Sequence, residues 1–109
     1  VIDAGYAISP DGMKAQIESG IIYGLSAALY GEITIKDGAV AQSNFHDYPS
    51  VRMSKAPAIE THIINSGEVM GGAGEPGTPP IAPALANAIF NATGERIRQL
   101  PIKNSALKV

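Results

Sequence analysis

The decapeptide GGAGEPGTPP, Gly71 to Pro80, holds four glycines and three prolines, and neither a helix nor a strand can run through it. Proline brings no amide hydrogen to a backbone ladder, and glycine loses the most conformational freedom on being ordered. The chain must therefore be two regular portions joined here by irregular backbone. One carboxylate, Glu75, stands in that run among residues that offer almost no other side-chain chemistry.

Ahead of the run, ISPDGMKAQIESGIIYGLSAALYG starts with a candidate cap, Ser9, a proline at the first helical position and Asp11 in the first turn. Apolar or small residues then recur at Met13, Ile17, Ile21, Gly24, Leu25, Ala28 and Leu29, the period of an amphipathic helix. The pattern predicts a helix from Pro10 to Tyr30. Its interior glycines, Gly20 and Gly24, each cost roughly 1 kcal/mol relative to alanine. They share a face, which predicts a close packing partner. EITIKDGAVAQSNF alternates up to Lys36-Asp37-Gly38 and resumes at Val40, a hairpin signal. AIETHIINS reads as a third strand. PPIAPALANAIFNATG reads as a second helix from Pro79 to Thr93 capped by Gly94, and Leu100 to Ile102 as a short strand or extended arm. The expected fold is α+β, with two main helices packed on a small, mainly antiparallel sheet. Ile17, Leu25, Leu29, Leu85, Ile89 and Phe90 are the expected shared core of the helices.

At 109 residues the chain has the length of one compact domain. Ten acids and eight bases give a net charge of −2, with the bases scattered, so no nucleic-acid footprint is present. Without cysteine the chain offers no disulfide, thiolate ligand or thiol nucleophile. The longest apolar run, IIYGLSAALY, is about half of a bilayer span. The opening at Val1, in what reads as the tail of a strand, is expected to mark a piece of something larger. Apolar patches and self-association of the isolated chain are expected with it.

The order of strand, glycine-rich turn with Glu75 and proline-started helix already suggests a function. Backbone without bulk at Gly71, Gly72, Ala73 and Gly74 can approach a large ligand and hydrogen-bond it through N–H groups, while Glu75 at its edge can take a proton. The stretch GGAGEPGTPPIAPALANAIFNATGERIRQLPI closely resembles the C-terminal end of the large subunit of the molybdenum hydroxylases, the xanthine dehydrogenase and aldehyde oxidase family. Within it, the isoquinoline 1-oxidoreductase β-subunit type is the nearest likeness. DAGYAISPDGMKAQIESGIIYGLSAALYGEI and QSNFHDYP also resemble family segments in the family's order.

The resemblance implies that residues 1–109 are a single domain or fragment, the C-terminal molybdopterin-binding segment of a larger hydroxylase subunit. It implies that Glu75 is the general base beside a pterin-held molybdenum and not a metal ligand. Gln16 would hydrogen-bond the pterin, and Gly72, Ala73 and Gly74 would lie along it. The implied substrate is a small aromatic heterocycle or an aldehyde, hydroxylated at an electron-poor carbon. The implied partners are the remainder of the large subunit and an iron–sulfur electron-transfer subunit, with a periplasmic setting for the parent enzyme. Ser19-Gly20 departs from the two glycines the family usually shows, which bears on local geometry there.

A second class of function stands beside this one, a stand-alone, non-catalytic interaction module or truncated relic of the same fold. His46 and His62 lie far apart without ligand-spaced acids and read as non-ligands. Asp47 and Tyr48 read as turn and packing residues, and Arg96 and Arg98 as solvated or salt-bridged surface.

Overall fold

The computed structural model describes residues 1–102. The elements follow the order β1 (Ile2–Asp3), α1 (Pro10–Tyr30), β2 (Ile35–Lys36), β3 (Ala39–Val40), a single 3-10 turn (Met53–Lys55), β4 (Ile63–Ile64) and α2 (Ile81–Thr93). The α+β class is as expected, and the end of the single-domain span, 103–109, lies outside the described residues.

α1 runs over the span that its sequence signals set. Ser9 is extended at φ −126°, its Oγ accepts from the Gly12 N–H at 3.4 Å, and Pro10 follows where no amide is needed. Its buried residues are Ile17, Gly20, Gly24 and Ala28. This stripe is made mostly of small residues. The larger apolar side chains of the expected core, Leu25, Leu29, Leu85, Ile89 and Phe90, are half-buried, and only Ile17 of that set is buried. The buried apolar residues among those described are instead Ala4, Ala7, Ile17, Ala28 and Ile102.

The small stripe admits a neighbour. A methyl group on Gly24 would stand 2.8 Å from the Thr78 carbonyl oxygen and 3.0 Å from the Ile81 side chain; on Gly20 it would stand 3.2 Å from Thr78 Oγ1. The close partner expected from the glycine spacing is therefore the end of the Gly71–Pro80 run and the start of α2.

α2 begins at Ile81, two residues later than its prolines suggested. Pro79 precedes Pro80, whose ring disfavours the helical region for the residue before it. Pro80 is thus the N-cap, and the Thr78 carbonyl receives the Ile81 N–H at 3.3 Å. The far end is as expected. Gly94 adopts the left-handed conformation at φ 77° and donates to the Phe90 carbonyl at 2.8 Å.

The strands form two separate ladders. β2 and β3 pair antiparallel around Asp37 (φ 52°) and Gly38 (φ 80°), the hairpin its Asp-Gly signal predicted. β4 occupies only the end of the expected third strand and pairs in parallel with β1, Ile2 opposite Ile63 and Asp3 opposite Ile64. Side chains and loop amides extend that short ladder into a clasp. Asp3 Oδ1 accepts from the Gly5 N–H and from Ser66 Oγ, both at 2.9 Å, and Asn65 Oδ1 accepts from the Ala7 N–H at 3.1 Å. The Gly67 and Gly71 N–H groups donate to the carbonyls of Gly5 and Ala4 at 3.1 and 3.0 Å. Two backbone donations and a hydroxyl hold the Asp3 carboxyl below the usual carboxylate range.

Leu100–Ile102 forms an arm and no strand. Ile102 is buried and its N–H donates to the Ala28 carbonyl at 2.8 Å, which ties the arm to the last turns of α1.

Candidate functional site

The Gly71–Pro80 run leaves the clasp at Gly71 and lands on α1 at Gly77. Between those anchors it behaves as open backbone: a methyl group added at Gly71, Gly72 or Gly74 would meet nothing within 4 Å. Gly77 is the opposite case, buried, with a methyl position 2.7 Å from the Ile17 carbonyl oxygen. The glycines of one loop thus have two distinct causes. Gly77 is required by the chain's own packing, whereas the Cβ positions of Gly71, Gly72 and Gly74 face open space among the described residues, with the Gly71 N–H held by the Ala4 carbonyl.

Glu75 stands where the open part meets the docked part. Its carbonyl accepts from the Thr78 N–H at 2.9 Å, and Thr78 Oγ1 donates to the Gly20 carbonyl at 3.2 Å. Its side chain is exposed and borders two clefts. One, of about 440 Å³, is lined by Ser19, Gly20, Tyr23, Gly74, Glu75, Thr78 and Pro79. The other, of about 470 Å³, is lined by Gly72, Gly74, Glu75, Pro76 and Pro79. Gly74 and Glu75 thus border both clefts, the first of them walled by α1 and the second shared with Gly72. Among the described residues the Glu75 carboxylate makes no hydrogen bond or ion pair.

Ala73 is half-buried and lines neither cleft. Gln16 is exposed on α1, one turn before Gly20, which puts it about 6 Å further along the helix axis. It lines neither of these two clefts. Thr78, Ser19 and Tyr23 are cleft residues that the sequence reading did not assign. Thr78 carries the only hydroxyl in the decapeptide, and this is the signal that could have found it.

A larger cleft of about 730 Å³ lies on the other side of Ser19 and Tyr23, between α1 and the stretch containing Val51, Ala56 and Pro57. Ser26 braces it, accepting from the Val51 N–H at 3.0 Å while donating to the Ile22 carbonyl at 2.9 Å. Glu18 is its one carboxylate wall residue.

His46 lies 3.6 Å from Asp47 and His62 lies 3.7 Å from Glu60, both histidines well exposed. Among the described residues no three of His, Cys, Asp or Glu gather as a metal site, and no helix is long and apolar enough to cross a membrane. Asp47 is a turn residue, as expected. Its carboxylate accepts from the N–H groups of Ser43 and Asn44 and from Ser43 Oγ at 2.9–3.0 Å. Those donors, with a small contribution from His46, lower its pKa to about 2. Arg96 lies over Phe90, its guanidinium carbon 3.5 Å from the ring centroid.

Residues 1–57 match the family model described as a molybdopterin cofactor-binding domain. The isoquinoline 1-oxidoreductase subunit beta of Brevundimonas diminuta is 42% identical over 94% of this chain. A membrane-bound aldehyde dehydrogenase of Gluconacetobacter polyoxogenes, with pyrroloquinoline quinone in its name, is 39% identical over 94% of it. The chain spans 13% of the length of each of these two proteins. A crystal structure of the Cu,Mo-CO dehydrogenase superposes on 84% of this chain with a TM-score of 0.71 at 23% identity, covering 12% of that chain, and shares its fold.

Proposed function

The chain belongs to the molybdopterin cofactor-binding domain family, and from that membership we propose that it is the part of a molybdenum hydroxylase large subunit that supplies the catalytic base, Glu75, and one wall of the pterin site. The observation that carries the proposal is the open backbone at Gly72 and Gly74 beside a carboxylate that has no partner among the described residues. Glycines that the chain's own packing does not require fit a surface kept clear for a bulky group.

When bound, the cofactor supplies the two-electron redox chemistry. This chain's residues do the rest of their part by position. The N–H groups of Gly72, Ala73 and Gly74 hydrogen-bond along the group, and Gln16, which can donate and accept through one amide, holds it from α1. Glu75 accepts, at a carboxylate oxygen, the proton that the attacking hydroxyl must lose before its oxygen bonds to carbon. The names of the two relatives point to an aromatic N-heterocycle or an aldehyde as substrate. An iron–sulfur electron-transfer partner and the remainder of the large subunit complete the proposed assembly.

The test is Glu75→Gln in the assembled enzyme. The amide keeps the shape of the side chain and cannot take the proton, so turnover at verified full molybdenum occupancy should fall on the order of 10²-fold to 10⁴-fold. Turnover within a few-fold of the parent enzyme overturns the assignment of the base. Cofactor extraction checks the group itself, because molybdopterin supports the proposal and pyrroloquinoline quinone in its place overturns it. The reading frame ahead of Val1 separates the stand-alone module from this proposal. Further molybdopterin-binding segments in frame support the enzyme, and a start codon directly before Val1 supports the module.

A further inference from the structure

Two residues just after Glu75 tie it to the helix it faces, Gly77 by close packing on Ile17 and Thr78 by hydrogen bonds. The Thr78 N–H closes the turn by donating to the Glu75 carbonyl at 2.9 Å, and the Thr78 hydroxyl donates to the Gly20 carbonyl at 3.2 Å. The Thr78 carbonyl receives the first amide of α2, that of Ile81, at 3.3 Å. Acid, α1 and α2 thus meet at a single residue, through two backbone bonds and one bond from its hydroxyl. Its seat is a notch that only small residues permit, since methyl groups at Gly20 and Gly24 would stand 3.2 Å from Thr78 Oγ1 and 2.8 Å from the Thr78 carbonyl oxygen. On the other side of Glu75, methyl groups at Gly72 and Gly74 would meet nothing among the described residues, and the next anchor is the Gly71 N–H on the Ala4 carbonyl. The anchors nearest the acid, and the ones that reach α1, are therefore on its C-terminal side.

We propose, resting on the assignment of Glu75 as base, that Thr78 is its positioning residue and that the hydroxyl bond to Gly20 fixes the carboxylate over the cleft shared with Ser19 and Tyr23. The feature required is the donor. Valine matches threonine in outline without offering a hydroxyl, and serine keeps the hydroxyl without the methyl. The threonine acts through Glu75 and contributes no proton transfer of its own.

In the assembled, cofactor-loaded enzyme, Thr78→Val is expected to lower kcat on the order of 10-fold to 100-fold with a much smaller change in KM, as misplacement of a reacting group does. Thr78→Ser is expected to stay within about threefold of the parent enzyme, because the donor is retained. Thr78→Ala is the second donor-free variant and should repeat the valine result without a branched side chain in the notch. In a Glu75→Gln background, Thr78→Val should cause no further loss, since a positioner has nothing left to position. A readout independent of turnover is backbone hydrogen exchange over residues 75–81 of the full chain without cofactor. It should accelerate in the valine and alanine variants and be unchanged in the serine variant.

Wild-type turnover in both donor-free variants, with Glu75→Gln inactive, overturns the positioning role and leaves the base assignment standing. A loss from Thr78→Val that recurs at full size in the Glu75→Gln background also overturns it, since the effect then does not pass through Glu75. An active Glu75→Gln enzyme removes the base assignment on which the proposal rests.

Discussion

Gly77 packs directly against the backbone of Ile17, so closely that a methyl group on it would lie 2.7 Å from the Ile17 carbonyl oxygen and 3.4 Å from the Ile21 nitrogen. Both neighbours are helix backbone and cannot rotate away. This contact, with the Thr78–Gly20 hydrogen bond beside it, decides where the glycine-rich run meets α1.

Gly77→Ala and Gly72→Ala are predicted to separate the two causes of glycine in the loop. The first should destabilise the chain by about 1–3 kcal/mol through overpacking. The second should change stability by no more than about 0.5 kcal/mol, as surface substitutions do. Denaturant unfolding of the full chain checks both. Gly72→Ala in the assembled enzyme should instead lower molybdenum occupancy, since the new methyl group stands where the cofactor is proposed to lie.

The Asp47 turn is predicted to resist acid. The folded-state pKa is lowered to about 2 from an ordinary 3.8, so its contribution is fully present above the ordinary value. It is lost only as pH falls through about 2. The Asp47 carboxyl resonance should titrate near that value by NMR. Asp47→Asn should raise hydrogen exchange at the Ser43 and Asn44 amides at neutral pH.

The Asp3 clasp shares that sign, because the folded-state pKa is again lowered by hydrogen bonds to the charged form. Its stabilising effect is present above the ordinary carboxylate value and fades as pH falls through the lowered one. Asp3→Ala should speed amide exchange at Gly5, and at Gly67 and Gly71, whose N–H groups donate to the same N-terminal segment. Unchanged exchange at all three would mean that β1 and β4 hold the segment without the carboxylate.

Arg96→Ala should cost about 0.5–1 kcal/mol through loss of the cation over the Phe90 ring. Unfolding of the variant, compared with Phe90→Leu and the double substitution, checks the pairing. Additive losses would show that the two side chains do not interact.

Local chemistry made several parts of this protein legible from its sequence. Ser9 with Pro10, Asp37 with Gly38, and Gly94 each act through backbone within a few residues, and all three stand where their chemistry put them. The start of α2 falls two residues past the Pro79 that the sequence suggests because Pro79 has a second proline after it, a conflict between two local rules that the fold resolves at Ile81. Glu75 and its open glycines were visible as a cluster because the decapeptide brings them together by covalent proximity. Gln16 is visible only through family resemblance, and it lines neither cleft that Glu75 borders.

What the sequence determined by itself, then, were the elements whose hydrogen bonds close within a few residues and the decapeptide that interrupts them. Tertiary structure alone decided the parallel pairing of β1 with β4, the burial of small residues on α1 in place of its leucines, and the seating of Thr78 between Gly20 and Gly24. Each of these joins groups 50 or more residues apart. Which distant groups meet depends on the free energy of the whole packed arrangement, and no window of sequence contains both partners.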